Sequence, residues 1–222
     1  MIYSLIKPLK ALFFLLLITI SSASFGEQLI KIMLFGDSLM VGYGLTQSEN
    51  ITSVLSRKFE RDGLTAMIIN ASASGNTSNN GQARLGWSLG DNPAVVVLCL
   101  GANDMLRGID PALTKENLNT MIIKIKENGA TLVLAGMRSP DSMGEDYQKQ
   151  FDQLYLDLAE RHNLIFMPFL LEDVALEEKY LQRDYKHPNA LGIKVIANNL
   201  YPYLIKAVAT QQAKNQTQLF DY

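Results

Sequence analysis

Five short apolar runs rich in β-branched residues recur along the chain at 31–35, 65–70, 94–100, 131–135 and 164–168, separated by stretches with helical periodicity. This alternation is the strongest constraint on what the chain can fold into. Runs of that length read as strands. Between them, Ile51, Val54, Leu55 and Phe59 fall on one helical face, as do Leu118, Met121, Ile122 and Ile125. Strands alternating with helices require right-handed crossovers, so the sequence predicts an α/β protein with a five-stranded parallel sheet covered by helices on both faces. Ligands of such sheets bind beyond the carboxyl ends of the strands, which directs the search for chemistry to the loop after each strand.

The boundaries carry their own signals. Thr46 and Glu49 have capping-box spacing ahead of the first helix, and Gly63 can take the left-handed conformation that stops it. Asp110-Pro111 opens another helix with proline at the first helical position. Further helices are expected over 147–161 and from Pro188 or Asn189 to about 207. Trp87, near the helix after the second strand, is expected in the core. Gly42-Tyr43-Gly44 reads as a turn, because the rest of a dinucleotide fingerprint is missing.

With 222 residues and no repeat or linker, one domain is expected. Its limits read as 25–210. The polar segment 211–222 lacks periodicity and is expected to be frayed.

Residues 1–24 read as a secretory signal peptide: Lys7 and Lys10 precede an apolar run, and Ser21, Ser22, Ala23 and Ser24 follow it. The run is about half of the roughly 20 residues a membrane span needs, so a retained anchor is the less favoured alternative. Cleavage fits a bacterial periplasmic or secreted protein with no stable membrane anchor. Loss of Lys7 and Lys10 takes the formal charge from −2 to −4, which argues against a nucleic-acid partner. Cys99 is the single cysteine and sits in an apolar run, so it reads as a small buried hydrophobe. No His, Cys and acidic cluster has metal-ligand spacing. Asn-x-Ser/Thr sequons at Asn50, Asn70, Asn76 and Asn215 read as chance, since two would place a glycan in or beside the loop at Gly75.

The first strand ends in Gly36-Asp37-Ser38-Leu39, which puts a serine at the sheet's carboxyl edge. A serine hydroxyl becomes a useful nucleophile when a base lies within hydrogen-bond reach and a third group orients that base. The chain has two histidines. His162 follows a helical stretch and reads as a solvated helix-end residue. His187 stands three residues after Asp184, between the last strand and the last helix, where the carboxylate can reach Nδ1 and leave Nε2 free for Ser38. The plainer alternative is that Asp184 and His187 shape the start of that helix. Acyl transfer also needs donors aimed at the developing oxyanion. The loop Ala71-Ser72-Ala73-Ser74-Gly75 and the loop Gly101-Ala102-Asn103-Asp104 end the second and third strands and can supply them.

Gly36-Asp37-Ser38-Leu39, Gly75, Gly101-Ala102-Asn103-Asp104 and Asp184 with His187 together resemble, in order, the four blocks of the SGNH (GDSL) hydrolases. Within that family, Ile69-Asn70-Ala71-Ser72, Gly81-Gln82-Ala83-Arg84-Leu85, Met105-Leu106-Arg107-Gly108 and Met167-Pro168-Phe169 look like the periplasmic thioesterase, lysophospholipase and arylesterase branch. The resemblance implies a flavodoxin-like three-layer α/β/α fold, no cofactor, and hydrolysis of fatty-acyl esters and thioesters. It implies Ser38 as nucleophile and oxyanion donor, Gly75 and Asn103 as the other donors, and Asp184 with His187 completing a triad. Tyr185 and Lys186 depart from the family, which more often has a glycine and an aliphatic residue there. The polar segment 138–146 corresponds to a loop that moves over the acyl chain in the branch, so Arg138, Ser139, Pro140 and Asp141 are expected to touch substrate. An ordinary surface loop is the alternative.

The partner expected is a small acyl ester or thioester, with a monomer as the default. A carbohydrate O-acetyl esterase on the same fold is the second reading, and a non-catalytic binding module the third.

Overall fold

The structure, a computed structural model, describes residues 29–220; the leader expected at 1–24 lies outside them. Five strands form one parallel sheet: β1 (Ile30–Gly36), β2 (Ala66–Asn70), β3 (Val95–Cys99), β4 (Thr131–Ala135) and β5 (Ile165–Met167). Their order is β2-β1-β3-β4-β5. Every residue of β3 and β4 is buried, as expected for strands covered on both faces. The chain order reverses direction between β1 and β3, so their carboxyl ends flank the crevice where such sheets bind ligands.

Among the described residues seven α-helices accompany the strands: α1 (Ser38–Val41), α2 (Ile51–Arg61), α3 (Ser78–Leu89), α4 (Ala102–Leu106), α5 (Pro111–Glu127), α6 (Glu145–His162) and, after β5, α7 (Ala190–Phe220). α2 packs with α7 on one face of the sheet, and α3, α5 and α6 pack in sequence on the other. The result is three layers around a core that includes Ile32, Leu34, Phe35, Phe59, Ile122 and Leu200, each at most 1% exposed.

Local starts and stops follow side-chain chemistry. Asp110 accepts from the N–H of Ala112 at 2.8 Å ahead of Pro111, as the sequence predicts. Gly63 takes φ of 72° just past α2. At the other end of α2 the outcome differs. Glu49 reaches back to the Thr46 N–H and accepts from the Thr46 hydroxyl, but both residues lie ahead of α2, which starts at Ile51. Asn50 does the capping instead, accepting from the N–H of Ser53 at 2.9 Å.

A further expectation is corrected. Trp87 is 87% exposed and does not join the core. The inward face of α3 carries Ser78, Gly81, Leu85, Ser88 and Leu89. At about 100° per residue, Trp87 lies roughly 200° from Leu85, pointing outward. From Gln211 the described chain continues as helix, α7 running on to Phe220. Alanine, glutamine and lysine favour helix, and the extension is tied to the sheet: Thr131 donates to Gln211 Oε1 at 2.7 Å and Lys214 donates to Thr131 at 3.1 Å.

Candidate active site

Asp37 leaves β1 and accepts from the N–H of Leu39 at 3.0 Å, turning the backbone so that Ser38 becomes the first residue of α1. The Ser38 Oγ lies 2.9 Å from His187 Nε2, and His187 Nδ1 lies 2.6 Å from Asp184 Oδ2. Asp184 also accepts from the backbone N–H groups of Lys186 and His187, each at 3.0 Å. A proton on Nδ1 faces the carboxylate, which leaves Nε2 to accept from the serine hydroxyl.

The turn that makes this possible puts Tyr185 at φ of 56°, a left-handed conformation unusual for a bulky side chain and natural for glycine. Gln182 pins the turn from outside. Its Nε2 donates to the carbonyl of Tyr43 at 2.7 Å and to that of Pro188 at 2.9 Å, joining the segment after α1 to the one that carries His187. The Tyr43 ring rests against the imidazole with centroids 4.6 Å apart.

The carboxylates differ because their surroundings differ. The bonds from the His187 ring, and then those from the His187 and Lys186 N–H groups, hold Asp184 well below the usual carboxylate range. Burial pushes Asp37 up to about 6, opposed by the Leu39 N–H, the Asn103 amide and the nearby His187. Linkage fixes the sign of Asp184's effect on folding. Its depressed pKa adds stability that is complete above the unfolded value of about 3.8 and is lost as pH falls below it. Asp184→Asn should therefore flatten the decline in urea midpoint between about pH 4 and pH 2.5 relative to the unmutated protein; equal declines would mean the pair does not hold in solution.

On the opposite side of Ser38 lie the loops after β2 and β3. Gly75 takes φ of 75°, and its N–H and that of Ser38 donate to no other described residue. The Gly75 carbonyl, on the following peptide, accepts from Arg107 at 2.9 Å, which holds the loop just past that N–H. Asn103 Nδ2 donates to Asp37 Oδ2 at 3.1 Å, using one of its two hydrogens. Gly101 gives Asn103 its position: φ is 120°, and a Cβ there would fall 2.0 Å from the Tyr155 hydroxyl, itself bonded to the Leu100 carbonyl. Asp104 anchors α4 from below. It is fully buried and accepts from the Ser78 N–H, the Ser78 hydroxyl and Thr114, while Asn117 donates to Ser78.

These groups open into a cavity of about 420 Å³ whose walls include the apolar side chains of Leu39, Met105, Leu106, Met137 and Leu171, with Tyr43 and Lys186 at the side of His187. Sequence reasoning missed Met137 and Leu171, although Met137 stands two residues past β4 at the carboxyl edge, where an α/β sheet places ligand contacts.

Arg138, Ser139, Pro140 and Asp141 do not line this cavity. After Met137 the chain turns onto α6. The buried Ser139 donates its N–H to Asp152 at 2.8 Å, and Gln148 donates to the Ser139 carbonyl and to Asp141. Arg138 leans over the Phe169 ring and pairs with Glu172 at 3.8 Å. Of this segment's neighbours it is Met137, just before Arg138, that reaches the cavity wall.

His162 stands apart as well, at the end of α6 with Nε2 2.7 Å from Asn119. Cys99 is buried, and burial pushes its thiol pKa up, so it does not present a thiolate. Among the described residues no group of His, Cys, Asp and Glu is placed to hold a metal ion. None of their helices is long and apolar enough to cross a membrane.

A hydroxyl, a base and an orienting carboxylate facing spare N–H groups across a pocket is the arrangement that acyl transfer from an ester requires. Residues 34–195, from β1 into α7, match the GDSL-like lipase/acylhydrolase family, and the chain belongs to it: it is a hydrolase of the SGNH type. An arylesterase of Vibrio mimicus is 35% identical, the match covering 89% of this chain and 98% of that one. The thioesterase 1/protease 1/lysophospholipase L1 of Escherichia coli is 34% identical over 79% of this chain and 82% of its own. Among solved structures, the psychrotrophic esterase EstA from Pseudoalteromonas sp. superposes with a TM-score of 0.77 at 31% identity, covering 81% of this chain and 98% of that one.

Proposed function

We propose that the protein is an exported hydrolase of fatty-acyl esters and thioesters, acting through Ser38, His187 and Asp184 by way of an acyl-enzyme. The Ser38 Oγ attacks the carbonyl carbon as His187 Nε2 takes its proton. Asp184 holds the ring and stabilises the imidazolium. The carbonyl oxygen, now negative, is received by the N–H groups of Ser38 and Gly75 and by the Asn103 amide. Collapse breaks the bond to the leaving alcohol or thiol, which departs with the proton from His187. Water then attacks the acyl-serine, gives a proton to His187, and a second collapse releases the fatty acid and returns the proton to Ser38.

The observation that carries this reading is the Ser38–His187–Asp184 relay opening into an apolar-walled cavity. Apolar walls suit an alkyl chain better than a sugar. Export, read from the leader, favours lysophospholipids and other acyl esters over acyl-CoA, a cytosolic metabolite.

Initial rates on p-nitrophenyl esters from acetate to palmitate, with Ser38→Ala as the blank, test it. A Ser38-dependent optimum at medium or long chains is expected. Activity confined to acetate would point to a carbohydrate deacetylase, and no Ser38-dependent rate on any ester would overturn the hydrolase mechanism.

A further inference from the structure

Arg84 lies on α3, outside the relay, and its guanidinium is half-buried with no carboxylate partner among the described residues. Partly withdrawing a charge from water without an ion pair costs stability, so its bonds must be sought elsewhere. All three go to two loops. Nη2 donates to the carbonyl of Gly36 at 3.0 Å, Nη1 to the carbonyl of Ala71, and Nε to Asn76 Oδ1 at 2.6 Å. The plane of the fork is set by stacking on the Phe35 ring, 4.0 Å away.

Those acceptors bracket the two backbone oxyanion donors. Gly36 stands two residues before Ser38, and Ala71 and Asn76 enclose the segment that carries Gly75. That segment is Ala-Ser-Ala-Ser-Gly, with little side-chain bulk to fix it by packing. The segment is also tied to β1 by the Ala71 N–H and the Ser72 hydroxyl, which donate to the Leu34 carbonyl at 2.9 and 3.0 Å, and by the Ala73 N–H, which donates to the Gly36 carbonyl at 3.1 Å; none of these bonds lies between Ala73 and Asn76, where Gly75 stands. The N–H groups of Ser38 and Gly75 come from different strand ends, yet both must fall about 2.7–3.1 Å from one oxygen.

We propose that Arg84 is a positioning residue that sets the spacing between the Ser38 and Gly75 oxyanion donors by bonding both loops with one rigid guanidinium. The inference rests on the hydrolase reading above. A lysine keeps the charge but cannot span three acceptors in fixed directions, so the fork is the property required.

The test compares Arg84→Lys, Arg84→Met and Asn76→Ala with the unmutated protein, well below their unfolding temperatures. The readings are kcat and KM on a p-nitrophenyl ester and the inhibition constant of an alkyl boronic acid, which forms a tetrahedral adduct with the serine. Both Arg84 variants should lose about 10–100-fold in kcat with KM changed less than about 3-fold, and the boronic acid should weaken in parallel. Asn76→Ala removes one acceptor and should shift kcat and inhibition the same way by a few-fold, which keeps the test open should the Arg84 variants fold poorly.

A lower urea midpoint with kcat and boronic acid affinity unchanged would overturn the proposal, as would full activity in Arg84→Lys or unchanged constants in Asn76→Ala. Failure of the underlying hydrolase reading shows separately, as activity and boronic acid binding that survive Ser38→Ala in the otherwise unmutated chain; the inference would fall with it.

Discussion

Replacing Ser38 or His187 by alanine is expected to lower kcat on the order of 10⁴–10⁶-fold, with the double variant little worse than either single one, because members of a relay fail as a unit. Each serves a different half of the proton's path. Without His187 the hydroxyl keeps its proton at the moment of attack, and without Ser38 no acyl-enzyme forms. His162→Ala is the internal control. Its ring is bonded to Asn119 at the far end of α6, so kcat should stay within about 2-fold. Steady-state rates on one chromogenic ester decide the matter. A His187→Ala variant that retains most of its activity would show that the base has been misassigned.

The second large effect is expected at Asn103. Asn103→Ala should cost about 10²–10³ in kcat, as for side-chain oxyanion donors elsewhere, with a much smaller change in KM. The asymmetry follows from where charge develops: a neutral ester carbonyl asks little of the amide, and the tetrahedral oxyanion asks much. The Asp37 bond adds to the cost. Asn103 is one of the donors offsetting the burial of that carboxylate, so its removal should push Asp37 further up from about 6 and make its ionisation beside the nucleophile harder. Loss of KM alone, with kcat intact, would place Asn103 in substrate binding and remove it from transition-state stabilisation.

The sheet was legible because its signal is long-range and redundant. Five apolar runs alternating with helical faces admit few topologies, and β1 to β5 fall within a residue or two of where periodicity puts them. Ser38, Asp184 and His187 were legible because residue type and place on the sheet edge agree, and the structure joins them by bonds of 2.6 and 2.9 Å.

What was not legible turned on side-chain direction or on partners distant in sequence. Trp87 has the composition of a core residue, but its phase on α3 points it outward. The polar stretch after Gln211 carries no apolar period, yet Thr131, some 80 residues away in sequence, holds it as helix. Thr46 and Glu49 have the spacing of a cap and bond to each other, but the helix begins later, where Asn50 caps it. The bonds from Ser139 to Asp152 and from Gln148 to the Ser139 carbonyl leave no mark on the composition of 138–146. The roles of Gln182, Arg107 and Arg84 were not legible, although the two arginines stand in stretches that carry the resemblance, because their partners are mostly backbone carbonyls that only the folded loops bring near.

The central claim is that Ser38 forms the covalent acyl-enzyme, and the most direct measurement is the site of covalent labelling. The protein is inactivated with a p-nitrophenyl alkylphosphonate, digested, and sequenced by tandem mass spectrometry. The account predicts a single phosphonate on the peptide containing Gly36-Asp37-Ser38-Leu39, located on Ser38, with no label in Ser38→Ala and sharply slowed labelling in His187→Ala. Stoichiometric inactivation with the phosphonate on any other residue would contradict it.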